Sequence, residues 1–234
     1  MVGSDPWAVR RAQPDRGLLF VALLVVELPW LLNGFYNPAL ARLPLLYWTV
    51  DLVTYFILPI AVLCYLYRQG MLRGVRIWNP AGVRQIVLDV APGMVVFALI
   101  IVFPTAAKIV VFWFAGPLYS PPQGFLMQQL GRPAGVMRWL LPIYFSLGPG
   151  ILEEVMVRGI FRLLFEHTRA GMLCYVFFSV LLFSLGHWES GPYHLIGTFV
   201  WGGIAAAFYI WHGRLLSLII AHTAYNRLVC LQSW

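Results

Sequence analysis

Charge is scarce in this sequence. Asp, Glu, Lys and Arg together make up 11% of its 234 residues, against 61% hydrophobic, and the mean hydropathy is +0.78. A water-soluble domain carries about a quarter charged residues, so a soluble core is excluded. Long basic runs are also missing. The net charge is +7, but no Lys/Arg cluster is extended enough for a nucleic-acid face, and no nucleic-acid partner is expected. Cysteine is nearly absent. Cys64, Cys174 and Cys230 lie in apolar stretches without metal-ligand spacing, which leaves them as small apolar packing residues. There is no internal repeat, no low-complexity segment and no alternation of apolar and polar residues of the kind a transmembrane β-barrel shows.

What the chain has instead is apolar blocks long enough to cross a bilayer as helices, about 18 residues or more. The pattern predicts an all-α polytopic transmembrane bundle of about seven spans, six to eight. Helices are expected from Gly17 to Phe35, Leu43 to Tyr67, Arg84 to Gly116, Gly171 to Trp188, Tyr193 to Trp211 and Leu215 to Leu231. The 84–116 stretch exceeds one span and holds Pro92, Gly93 and Pro104, so it reads as one long kinked helix or an amphipathic entry plus a span. Apolar residues also run from Val136 to Leu147, where Gly148-Pro149-Gly150 predicts a break or kink before a helix restarts at Ile151 and runs to Phe165. Asn79-Pro80 marks a turn. The loop from Pro117 to Pro133 divides an N-terminal anchoring half, 1–133, from a C-terminal half, 134–234.

The apolar run after Arg10, Arg11 and Arg16 is too long for a signal-peptide core and is read as an uncleaved first helix. With the N-terminus inside, the inner loops hold those three arginines, then Arg68, Arg73, Arg76 and Arg84, then Arg169, then Arg214; the outer loops hold Arg42 and Arg132. This bias predicts a cytoplasmic N-terminus. The absence of a targeting extension suits a bacterial inner membrane. Gly197, Gly202, Gly203 and Ala205 to Ala207 give one helix a small-residue face for close packing.

Ionisable residues within spans are costly and each needs a reason. The densest set falls in the last 85 or so residues. Glu153 and Glu154 share a helix with Arg158, four residues past Glu154 and so on its face. His187 follows Phe183 by one turn. His222 and Asn226 are one turn apart on the final helix. A carboxylate can take a proton from water; an imidazole can share that role, and an amide can donate to an oxyanion. Ser146 and Ser184 have no evident base partner, which disfavours a covalent route. Each residue alone is explained by packing or a satisfied ion pair. Their recurrence on three helices at helical spacing points to a site for hydrolysis. One Glu, two His and an Asn could also surround an ion. Glu27, Asp51, Asp89 and Lys108 are read mainly as interhelix pairs or interfacial groups, with a substrate or proton-path role as the alternative. Glu189 and His194 flank the loop after His187, as pocket mouth or solvated loop. His167 and His212 are read as interfacial, and Trp30, Trp48, Trp113, Trp139, Trp188 and Trp211 as residues of which several anchor the interface.

The set Glu153-Glu154-x-x-x-Arg158, Phe183-x-x-x-His187 and His222-x-x-x-Asn226 resembles the three motifs of the CAAX-protease and bacteriocin-processing family of intramembrane glutamic endopeptidases. Gly159 after the arginine fits as well, and the resemblance covers about residues 145–230. It implies that Glu153 is the general base, assisted by His187, that Glu154 and Arg158 support it, and that His222 and Asn226 bind the oxyanion. It also implies a mechanism without metal or other cofactor. The expected activity is hydrolysis of a peptide bond near the C-terminus of a membrane-associated protein or peptide, with the lipid bilayer as the other partner. The rival readings are a non-proteolytic immunity or scaffold protein and a transporter or proton relay; no inverted repeat supports the last.

Overall fold

The computed structural model describes residues 15–40, 42–77, 83–118, 134–165 and 167–233, with the side chains of 38, 83–86 and 233 left out. Arg10, Arg11, Arg132, the Asn79-Pro80 turn and most of the 117–133 boundary loop lie outside the described residues. Among the described residues every long element is a helix. They are α1 (Arg16–Leu40), α2 (Pro44–Arg68), α3 (Val83–Ala115), α4 (Met137–Ile160), α5 (Arg169–Leu185), α6 (Pro192–His212) and α7 (Leu216–Ser233).

The apolar blocks thus form the all-α bundle their length requires. Five helices, α1 to α4 and α6, are long and apolar enough to cross a membrane. The other two are shorter or more polar. α5 has 17 residues, and α7 carries His222, Thr223, Asn226, Arg227 and Gln232. Polar α7 is enclosed by its neighbours, packing most closely against α4 and α3. Apolar α1 shows the opposite pattern, an outward stripe of Phe20, Leu24, Leu28 and Leu32, four residues apart. Such a face suits contact with lipid.

Proline does not break these helices where backbone partners remain. α1 continues through Pro29 to Leu40, past its expected end at Phe35. α3 is one helix of 33 residues through Pro92 and Pro104, so the stretch counts once. The expected break at Gly148-Pro149-Gly150 is not there. The α-helix runs unbroken from Met137 to Glu153, and the irregularity comes after it, as a π-helical segment over Glu154–Ile160. The two glycines serve close approach. A Cβ at Gly148 would fall on the Phe56 ring of α2, and one at Gly150 on Thr223 of α7. A second π segment, Val53–Ile57, widens α2 opposite this region.

Loop contacts fix which helix ends meet. Trp188 Nε1 donates to the Leu31 carbonyl at 2.8 Å, and the Tyr193 hydroxyl donates to the Gly116 carbonyl at 2.6 Å. The α1 and α3 C-termini and the α5–α6 turn therefore share one end of the bundle. At the other end, Leu215 and Leu216 N–H groups donate to the Arg76 and Ile77 carbonyls at 3.0 and 2.9 Å. The helices alternate up and down between these ends. A single buried apolar cluster joins Leu19, Val26 and Trp30 of α1 to Met156, Phe183, Trp201 and Leu218, so both halves of the sequence build one core.

Candidate active site

The π segment of α4 begins where the acidic pair sits. Glu153 ends the regular α-helix and Glu154 opens the wider winding that carries Arg158. Two α5 hydroxyls bond to its backbone: Ser179 Oγ donates to the Val157 carbonyl at 3.2 Å and the Tyr175 hydroxyl to the Arg158 carbonyl at 3.5 Å.

Arg158 and Glu154 are both fully buried, with Arg158 Nε 3.5 Å from Glu154 Oε2. The guanidinium also lies over the Phe183 ring, 4.1 Å from its centroid. Its nitrogens make no hydrogen bond among the described residues, so one carboxylate and one aromatic face carry the compensation for a buried charge. Phe183 thus has a physical task in this site.

Glu154 has a second partner. His222 Nδ1 lies 2.9 Å from Glu154 Oε1, and a carboxylate oxygen accepts, so Nδ1 bears the proton. That turns His222 Nε2 towards Glu153, 3.8 Å from Oε2. Trp201 of α6 packs edge-on against the imidazole with centroids 4.5 Å apart. Glu153 Oε2 is buried and accepts no hydrogen bond among the described residues. One carboxylate oxygen is thereby left open beside a nitrogen whose orientation a second carboxylate fixes.

The structure therefore brings Glu153, Glu154, Arg158, Phe183 and His222 together. His187 makes no ion pair with Glu153 among the described residues. It lies past the end of α5, its ring 4.9 Å from Phe183, and its Nδ1 donates to the Phe183 carbonyl at 2.8 Å. That leaves Nε2 free of its own backbone. Asn226 lies one turn beyond His222, half-buried, and its amide makes no hydrogen bond among the described residues. The serines are committed elsewhere. Ser146 Oγ donates back to the Pro142 carbonyl, and Ser184 Oγ donates to the Leu195 carbonyl at 2.9 Å.

Two acids join from outside the three motifs. Glu27 of α1 is 4% exposed, its Oε1 has no hydrogen-bond partner among the described residues, and it lies within electrostatic reach of Glu153 and Arg158. Glu189 sits in the turn after His187, where burial pushes its carboxyl above the ordinary range while the neighbouring His187 opposes the shift. The signal for Glu27 was present in the sequence, as a carboxylate midway along an apolar span. Trp201 gave none, being an aromatic residue in an aromatic-rich helix. Among the described residues, no three His, Cys, Asp or Glu side chains converge as a group able to hold a metal ion.

Comparison with known proteins adds a family. No curated protein and no solved structure matches the chain. Residues 135–228, which include Glu153, Arg158, His187, His222 and Asn226, match the sequence model described as type II CAAX prenyl endopeptidase Rce1-like. The match makes this segment similar to the CAAX-protease family.

Proposed function

We propose that the chain is an intramembrane endopeptidase that hydrolyses a peptide bond near the C-terminus of a membrane-associated protein or peptide, using water activated by Glu153. The observation that carries this reading is the open Glu153 Oε2 at 3.8 Å from His222 Nε2. That separation suits a water contacting both groups. Glu153 takes one proton from the water as its oxygen attacks the carbonyl carbon. The proton passes to the leaving nitrogen, the C–N bond breaks, and Glu153 is again a carboxylate.

The geometry favours His222 as the second group on the water, because Glu154 holds its Nδ1 and directs Nε2 at Glu153. Asn226 is then the donor to the oxyanion. His187, whose Nε2 makes no hydrogen bond among the described residues, lies at the loop end of the site and meets the substrate as it enters. Glu154 and Arg158 keep the geometry. The end of the bundle formed by 70–77, 161–169 and 212–216 carries Arg73, Arg76, Arg162, Arg169 and Arg214. We assign this end to the cytoplasm of a bacterial inner membrane, so that the α5–α6 turn and the substrate entrance face outward.

The test compares protein termini in host cells carrying wild type or Glu153→Ala at matched levels. New C-termini that vanish in the variant, while the purified variant keeps the wild-type melting profile, are the expected result. Identical termini from both would replace the protease by a scaffold or immunity role.

A further inference from the structure

The chain holds 16 basic residues, and Lys108 is its single lysine. It lies in α3, outside the family segment, seven residues before the helix ends at Ala115. A charge in a membrane span is normally paired or drawn out to the interface. Lys108 shows neither arrangement. No carboxylate pairs with it among the described residues. Its side chain crosses to α6 rather than towards the helix end. The space a Gly197 Cβ would take is filled by Lys108 Cε, with Nζ 3.0 Å away. Glycine at that position is what admits the ammonium. The charge lies within electrostatic reach of His194.

His194 connects this cation to the catalytic groups. Ring centroids step from His222 to Phe183 over 6.0 Å, from Phe183 to His187 over 4.9 Å, and from His187 to His194 over 5.7 Å. Followed ring to ring, this track corresponds to at most about five residues of extended peptide, at roughly 3.5 Å each. A substrate with its scissile carbonyl at Glu153 and its downstream residues along the rings would end beside Lys108. The group that arrives there is the terminal carboxylate, an anion that needs a cation once it leaves water.

Resting on the endopeptidase reading, we propose that Lys108, seated over Gly197 beside His194, binds the free C-terminal carboxylate of the substrate and so confines cleavage to a few residues from a chain end. The subsite recognises an anion. A peptide carboxylate and an acidic lipid headgroup share that chemistry, and the inward course of the side chain favours the peptide.

The test is binding, which does not depend on turnover. The full-length chain carrying Glu153→Ala is placed in neutral-lipid nanodiscs and titrated with the tripeptide Leu-Leu-Ala, as the free acid and as the C-terminal carboxamide. The acid is expected to bind about tenfold more tightly or better, as a charge-assisted contact allows. Adding Lys108→Gln should bring the acid to the level of the amide and leave amide binding unchanged, and Lys108→Arg should keep the preference. Equal binding of acid and amide, or an equal loss of both in Lys108→Gln with a normal melting profile, overturns the proposal. So does a preference that disappears when acidic lipid is added to the nanodisc, which would mark Lys108 as a headgroup site. A failed terminus comparison alongside a Lys108-dependent acid preference would remove the protease reading and leave the carboxylate site standing.

Discussion

At the scale of single residues the site is a short chain of dependencies. Glu153 has its open oxygen beside His222, whose Nε2 is turned towards it. His222 is turned because Glu154 holds its Nδ1. Glu154 is held by Arg158, whose guanidinium in turn sits between Glu154 and the Phe183 ring. Removing one member of a buried ion pair costs about 3–5 kcal/mol, because the other charge is left uncompensated. Arg158→Met should therefore lower the melting temperature strongly, and the double variant Glu154→Gln with Arg158→Met should recover most of that loss without recovering cleavage. Thermal denaturation in detergent checks the first outcome and a peptide assay the second. A single variant as stable as wild type would show that Glu154 and Arg158 are not a unit. The motif spacing carried these residues in the sequence, since carboxylate, guanidinium and imidazole are rare enough in spans to stand out. Spacing along one chain does not say which imidazole meets which carboxylate. That pairing depends on how α4, α5 and α7 are rotated, and the structure sets His222 rather than His187 beside Glu153.

At the scale of elements, helix existence was legible throughout, because a long apolar block has few alternatives in lipid. Interruptions were harder to read. Gly148-Pro149-Gly150 has the composition of a break, yet the helix passes through it, because the glycines make room for Phe56 and Thr223. Both π segments lacked any signature in composition. Both accept hydrogen bonds from other helices, which a local reading of the chain does not contain. Gly148→Ala sets a methyl group into the Phe56 ring and should destabilise the bundle by about 1–3 kcal/mol, the usual range for overpacking. Pairing it with Phe56→Ala should return part of that stability. If the single variant melts like wild type, the glycine is not there for close approach.

At the scale of the whole molecule, the match to residues 135–228 leaves the first three helices outside the family segment. They are nonetheless part of the site's surroundings. α1 brings Glu27, α2 places Phe56 against Gly148, and α3 packs along α6 and α7 and carries Lys108. The alternating ends predict opposite accessibilities. A single cysteine placed at Ser190 in an otherwise cysteine-free chain should react with an impermeant maleimide from outside intact cells, and one at Ala170 only after permeabilisation. The reverse pattern would invert the orientation and place the substrate entrance in the cytoplasm. That sidedness was suggested by arginine counts alone, whereas the grouping of loop ends required contacts up to 157 residues apart.

The wide winding of α4 has one more implication. Its carbonyls at Val157 and Arg158 accept hydrogen bonds from hydroxyls of α5, so the winding that follows Glu153 is tied to a neighbouring helix. Were α5 to slide or tilt, those carbonyls would lose their donors and the turn would tighten, swinging the Arg158 guanidinium off its carboxylate and aromatic seat. The side chains this segment carries are in this sense geared to the lateral spacing of the bundle.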